Sequence, residues 1–280
     1  MRRKIVLFAI LSLVLLASAG RSQTGSIDEL LKKADAAYAE NYASEARLRE
    51  AVSLYEQVLT IDANHRYALD QLAQAYHELA YGYLFIFAAD RAKTKDVQRA
   101  AYTKSMEYGF RSLRLNPTFA TNEKDKFEVA VQASTDVAAL SWTANSWGRI
   151  VQAEALSNPV AALEGANKIK LMYERTIILD EKYFYGQPRR GYGALLANLL
   201  PIQGGDLNKA KENIERALQI APDFLETHVV YAREYALKAN DKKLVEKELK
   251  LVLDAPEGDQ FKLWNRIAKK EAQELLDQLR

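Results

Sequence analysis

The stretch GGDLNKAKENIERALQIAPDF, residues 204–224, decides the fold. Gly205 and Asp206 form a turn in which the Asp carboxylate can accept the free amides of a first helical turn. Leu207, Ala210, Ile214, Ala217, Leu218 and Ala221 then recur at helical spacing, and Pro222 stops the run. The same grammar recurs elsewhere in the chain. Ser26-Ile-Asp-Glu29 is a capping-box pattern, and Asn158-Pro159 reads as an N-cap with proline at the first helical position. A last helix is expected from near Asp259, with Phe261, Trp264, Ala268, Ala272, Leu275 and Leu279 as its apolar stripe. With only 12 Gly and 6 Pro in 280 residues, and no sustained alternation of apolar and polar positions, strands have little support. The expected class is all-α.

Repeats refine this reading. A tetratricopeptide (TPR) unit is a helix pair of about 34 residues with small residues where the helices cross and a proline at its end. Ala210, Ile214, Ala217 and Pro222 fall at the second-helix offsets, although Pro201 occupies the place of an aromatic residue in the partner helix. Ala39, Tyr42, Ala51, Tyr55, Val58 and Ala63 keep the same frame near the N-terminus, and Leu69, Leu72, Ala73 and Tyr76 extend it. Further hairpin endings stand at Leu113-Arg-Leu-Asn-Pro117 and Ile178-Leu-Asp180, and Tyr231, Ala232 and Tyr235 read as the start of another helix. The expectation is an irregular TPR-like superhelix of about five hairpins plus a C-terminal helix. Short side chains let such helices cross closely, and stacked pairs create a concave face or central hole where binding occurs.

At the N-terminus, Arg2, Arg3 and Lys4 precede an apolar run from Ile5 to Leu16 broken only by Ser12, followed by Ala17-Ser-Ala19. Positive charge, a short apolar stretch and a small-x-small pattern are the parts of a secretory signal. A retained anchor is the alternative, but a spanning helix needs about 20 apolar residues. The expected layout is a signal peptide over residues 1–19 and a single helical-repeat domain over 20–280. There is no cysteine, hence neither a lipid-attachment site nor a disulfide framework. The formal charge of +2 belongs to the signal, whose three cations leave on cleavage. Neither nucleic acid nor stable membrane insertion is expected, and the mature chain is expected in the periplasm.

One region carries more specific content. Tyr183-Phe-Tyr-Gly-Gln-Pro188, Gly191, Leu200-Pro201, Gly204-Gly-Asp-Leu207, Lys209-Ala210, Ala217-Leu218, Phe224-Leu225, Tyr231-Ala232, Tyr235-Ala236, Leu249 and Val252-Leu253 follow one another in a fairly specific order and spacing. Together with Ser141-Trp142, Ala144-Asn145 and Trp147-Gly148, they resemble the TatT family of TPR-like periplasmic proteins associated with TRAP (tripartite ATP-independent periplasmic) transporters. The resemblance spans roughly residues 28–255 and is clearer in the second half. Family members are often lipoproteins, and the missing cysteine departs from that pattern. The resemblance implies a homotrimer whose protomers each enclose a pore and dock on the solute-binding protein of such a transporter, holding or passing a small, rather apolar or organic-acid ligand. No cofactor is implied.

Several side chains suit such a pore, each with a plainer reading beside it. Leu79 to Ala89 carries no charge, so a helix there must be enclosed on every side, whether as core or as pore wall. Tyr81 and Tyr83 have polar tips that can orient a ligand. Trp142 and Trp147, five positions apart, point roughly 140° from each other on one helix. One can pack on a neighbouring hairpin while the other lines a cavity or subunit contact. A loop at Gly186–Gly191 sets Arg189 and Arg190 beside Tyr183, Tyr185 and Tyr192, either as a carboxylate clamp or as solvated surface charge.

Enzymatic chemistry has little support. His65, His77 and His228 fall in separate repeats, and His77-Glu78 lacks a second histidine at zinc-ligand spacing. No nucleophile elbow or phosphate-binding loop is present. Two non-catalytic readings stay open: a transport-associated component, and a general periplasmic adaptor that binds a peptide on its concave face.

Overall fold

The structure is a computed structural model that describes residues 26–279. The expected signal peptide lies outside the described residues. Among these residues the chain is all-α, with thirteen α-helices, two π-helical continuations, one 3-10 turn and no strand. It divides into two compact units, one ending at Ala68 and the other beginning at Leu69.

The first unit holds α1 (26–39), α2 (Glu45–Ile61) and the start of α3 (Arg66–Glu78). Ser44 caps α2 by accepting the Arg47 amide. The repeat-frame residues Ala51, Tyr55 and Val58 are fully buried. Asp35 joins the three elements, because one of its carboxylate oxygens accepts from Tyr55 Oη at 2.6 Å and Tyr67 Oη at 2.9 Å.

In the second unit, α3 runs without a break into a π-helical stretch, Leu79–Ile86, closed by the Phe87 amide donating to the Gly82 carbonyl. The charge-free run from Leu79 to Ala89 is enclosed only in part: Leu79, Ala80, Tyr81, Gly82, Leu84 and Ile86 are buried, Tyr83 and Phe85 are half-buried, and Phe87 and Ala89, past the end of the π-helical stretch, are exposed. The helices α4 (Arg91–Leu113), α5 (Pro117–Asn122), α6 (Phe127–Ala133), α7 (Val137–Glu154) and α8 (Pro159–Asp180) follow. Asp90, Asn116, Asp136 and Asn158 cap α4, α5, α7 and α8, each accepting amides two or three residues ahead. Pro117 and Pro159 occupy first-turn positions, where a missing N–H costs nothing. The helix α4 packs on the π-helical stretch before it and crosses α7 rather than α5, and the short α5 and α6 pack on each other. Gly109 makes that crossing possible, because a Cβ there would come within 1.9 Å of Thr143 Oγ1.

Next come α9 (Tyr183–Asn198), a 3-10 turn (Pro201–Gln203), α10 (Leu207–Ile220), α11 (Leu225–Val230), α12 (Lys242–Asp254) and α13 (Lys262–Gln278). Asp206 caps α10 as its sequence predicts, accepting from the amides of Asn208 and Lys209. Three expectations are corrected. Tyr231–Ala236 does not begin a helix but continues α11 with π-helical winding, the Leu237 amide donating to the Ala232 carbonyl. The last helix starts at Lys262, because Phe261 sits in the left-handed region at φ 59°. Gly186–Gly191 is not a loop. Phe184, Tyr185 and Gly186 make a left-handed turn at φ 40°, 60° and 75°, and a right-handed helix runs on from Gln187. Pro188 therefore falls in a first helical turn, where it is tolerated.

Two apolar cores hold these elements. Leu113, Phe119, Val131, Leu140, Ile169 and Met172 join α4 through α8. Leu225, Val229, Val245, Leu249, Val252 and Ala268 join α11, α12 and α13. Each large buried side chain contributes roughly 1.5–3 kcal/mol by leaving water.

Candidate binding cavity

A cavity of about 260 Å³ lies in the second unit, lined by residues of α3 and its π-helical extension, α7, α8, α9, α11 with its π-helical extension, and α13. Its volume is just below the usual range for ligand pockets, roughly 300–1,000 Å³. Burial grades the lining. Gln152, Ala155, Pro159 and Asn198 are exposed and mark the mouth, while His77, Tyr81, Gln187, Arg190, Glu226 and Trp264 are buried at the floor. Val151, Ala162, Leu163, Ala166, Ile169 and Leu195 add an apolar wall.

The floor is assembled where the backbone departs from regular helix. Tyr81 comes from the first π-helical stretch, and Arg233 and Glu234 come from the second. Gln187 and Arg190 follow the left-handed turn of α9. An extra residue per turn redirects side chains, which is why π-bulges collect at functional positions. The left-handed turn is fixed by its surroundings. The Phe184 ring meets Trp142 edge-on at 4.8 Å, Tyr185 meets Phe261 at 4.2 Å, and the Tyr185 carbonyl accepts from Arg190 at 3.1 Å.

Most of the floor charge is paired. Arg233 donates to Glu234 at 2.6 Å and also to Glu271, and Lys238 lies 3.5 Å from Glu234. Arg233, with Asn198 and Lys238, holds the Glu234 carboxyl down to about 2 despite a burial penalty that pushes the other way. Tyr81 gives its single hydroxyl hydrogen to Glu271 Oε2 at 2.5 Å and accepts from Arg233 at 3.2 Å. Glu226 Oε1 stands 3.3 Å from the same hydroxyl. With that hydrogen committed to Glu271, a protonated Glu226 can donate to the Tyr81 oxygen. Burial, followed by repulsion from Glu271, raises the Glu226 pKa in the direction this geometry requires.

Two guanidinium groups have no carboxylate partner. Arg149 forms no hydrogen bond or ion pair among the described residues and stacks on the Tyr81 ring, 4.4 Å from its centroid. Arg190 donates to the Tyr185 carbonyl and to Thr227 Oγ1, both neutral acceptors, and lies 4.6 Å from the Phe224 centroid. Burial pulls its pKa down to about 10, although Glu226 and two tyrosines act against that. His77 is neutral. Burial and the charges of Arg149 and Arg190 depress its pKa to about 3. Because Ser146 donates to Ser105 and Ser105 to the Ala73 carbonyl, His77 Nδ1 is the donor to Ser146 at 2.8 Å, which leaves Nε2 a lone pair. Three buried polar atoms at the floor have no partner: Gln187 Nε2, Gln187 Oε1 and Glu226 Oε2.

Of the residues singled out from sequence, Tyr81 and Arg190 line the cavity. Tyr83 packs beside Phe87 outside the lining. Trp142 is fully buried behind the floor, against His77, Phe184 and Trp264, and donates to Tyr183 Oη at 3.0 Å. Trp147 points elsewhere, into Phe110 and Phe127, as its spacing from Trp142 predicts. Arg189 is paired with Glu181, and Tyr192 donates to Glu174; neither lines the cavity. Arg149, Gln187, Glu226 and Arg233 were not anticipated. One signal for Arg149 was present, since it is the lone charge between Asp136 and Glu154.

Among the described residues no group of His, Cys, Asp or Glu could hold a metal ion, and no helix is long and apolar enough to cross a membrane. Fold and cavity together define an all-α protein with an internal cavity floored by polar and charged groups. The chain belongs to the TRAP transporter T-component family (TAtT), whose model matches residues 44–280. No curated protein matches it.

Proposed function

We infer that this T-component acts in the periplasm, without catalysis, by docking on the solute-binding protein of its TRAP system and holding a small, rather apolar organic ligand. The observation that carries the reading is the cavity itself, with an apolar wall leading from an exposed mouth to a floor of unpaired polar groups. Rigid elements with convergent polar groups are what a binding site needs. The working form is a homotrimer of the chain cleaved after Ala19, with residues 20–280 as one functional domain. Tyr81 and Arg190 act in the ligand site, and Trp142 supports it from behind. Trp147, Tyr83, Arg189 and Tyr192 shape the helices around it.

The test is association of the mature chain with the solute-binding protein of its TRAP system, measured by biolayer interferometry, with sedimentation velocity for oligomeric state. A micromolar or tighter complex and a trimeric mass are expected. No association at micromolar concentration overturns the docking role, and a monomeric mass overturns the trimer.

A further inference from the structure

We propose that the cavity selects a monocarboxylate with an apolar tail, bound head-down, and that Arg149 is the residue that reads the carboxylate. This rests on the reading of the cavity as a ligand site and names the class of ligand.

Charge balance at the floor is the first argument. Arg233 and Lys238 are answered by Glu234 and Glu271, so the groups left over are Arg149 and Arg190 against Glu226 alone. A buried cation is stable only when paired or hydrogen-bonded. Arg190 is buried and satisfied in part by Thr227 and the Tyr185 carbonyl, whereas Arg149 is half-buried and lines the cavity with only the Tyr81 ring against it. A negative charge on the ligand therefore offsets positive charge that the floor itself leaves unanswered. A planar carboxylate matches the guanidinium fork, and the stacked ring leaves the edge of that fork free for it.

The second argument is the unpaired neutral donor. Gln187 is only 2% exposed, lines the cavity and uses neither end of its amide. Its Nε2 suits a carboxylate oxygen. A ligand carboxylate among Arg149, Arg190 and Gln187 accounts for these unpaired groups together.

Polarity along the cavity sets the orientation. Arg190 and Glu226 are buried and Gln152, Ala155 and Pro159 are exposed, while the apolar Val151, Leu163 and Leu195 are intermediate. A ligand whose acid group enters first places its hydrocarbon against this wall. A cationic or zwitterionic amphiphile would instead set an ammonium beside two guanidinium groups.

The experiment is isothermal titration calorimetry on the full mature chain with octanoate, octan-1-ol and octylamine, which share a tail and differ in head group. Octanoate is expected to bind, and the alcohol and amine at least about tenfold more weakly. Arg149→Met should lower octanoate affinity by about tenfold to a hundredfold while leaving octanol unchanged, and Arg149→Lys should restore part of it. Ala162→Trp fills the apolar wall with both arginines intact and should weaken octanoate and octanol alike. Circular dichroism melting of each variant reports folding. Equal affinity for octanoate and octanol, undiminished octanoate binding by Arg149→Met, or no octanoate binding by the folded chain each overturns the proposal. The docking role is read separately, from association with the solute-binding protein. A failure of octanoate beside intact docking therefore rejects the ligand class, not the transport assignment.

Discussion

Glu226 is held by opposing forces that make its protonation visible in stability. Burial and Glu271 oppose its ionisation, Arg233, Arg190 and Arg149 favour it, and its pKa is pushed up to about 7 from an ordinary 4.5. For a carboxyl raised in the folded state, the native protein binds the extra proton between those two values. Stability is then full below the unfolded pKa and falls as pH rises through the folded one. His77 works in the opposite sense, since its depressed pKa costs stability as pH falls below the ordinary histidine value. A difference between variants separates the two. Glu226→Gln should flatten the loss of stability between about pH 5 and 8 and make the variant more stable than the parent at the alkaline end. Urea unfolding across that range measures it. Parallel pH profiles for the two proteins would mean that Glu226 is ionised in the native state throughout.

At the scale of elements, the turn Phe184–Gly186 sets the floor, because it decides where Gln187 and Arg190 begin their helix. Bulky residues in the left-handed region cost about 1–2 kcal/mol each, and two in succession, Phe184 and Tyr185, persist only when the surroundings fix them. The aromatic cluster of Trp142, Phe184, Tyr185, Phe224, Phe261 and Trp264 supplies that fixation. Gly186 is where it is most easily undone. An added Cβ would meet Ala217 Cα at 3.1 Å, on backbone of α10 that cannot rotate away, and φ is already 75°. Gly186→Ala should therefore destabilise the chain by about 1–3 kcal/mol. It should also weaken octanoate binding more than a mutation of equal cost in the first unit, such as one at Tyr55. Chemical denaturation and calorimetry together check this, and a change under about 0.5 kcal/mol would show the turn to be relaxed.

These same elements explain what could be read in advance. The caps at Asn158-Pro159 and Asp206 were legible because a cap acts within three residues of itself. The burial of most of Leu79–Ile86 was legible because a charge-free run favours the interior, whereas the exposure of Phe87 and Ala89 was not, because the helix ends before them. Tyr81 and Arg190 stood out for their company in sequence. Gln187, Glu226 and Arg233 did not, because each becomes a site residue only when π-helical winding or a left-handed turn brings distant helices together. No period-3.6 reading anticipates those irregularities. The same holds for Trp147, whose surroundings in the α4–α8 core depend on α4 lying on α7 rather than on α5.

For the molecule as a whole, the proposed function requires a route from the cavity floor to a partner. The turn between α7 and α8 carries Ala155 and Pro159 in the cavity lining, and in the same turn Leu156 is wholly exposed and Val160 is 79% exposed. The segment after α9 repeats the arrangement, with Leu199 and Gln203 in the lining and Ile202 93% exposed. Apolar side chains in water gain about 25 cal/mol per Å² when a partner covers them, and clustered patches mark interaction sites. Their position flanking the mouth means that a solute-binding protein seated there would close the cavity and receive or deliver its ligand without release to solvent. Leu156→Asp combined with Ile202→Asp should therefore weaken association with the solute-binding protein at least about tenfold. Melting temperature and octanoate affinity should stay within error of the parent, because neither side chain packs in the core. Val97→Asp, exposed on α4 and outside the lining, is the control and should have no effect. Undiminished association of the double variant would move the docking face away from the mouth, and loss of association by the control alone would place it on α4.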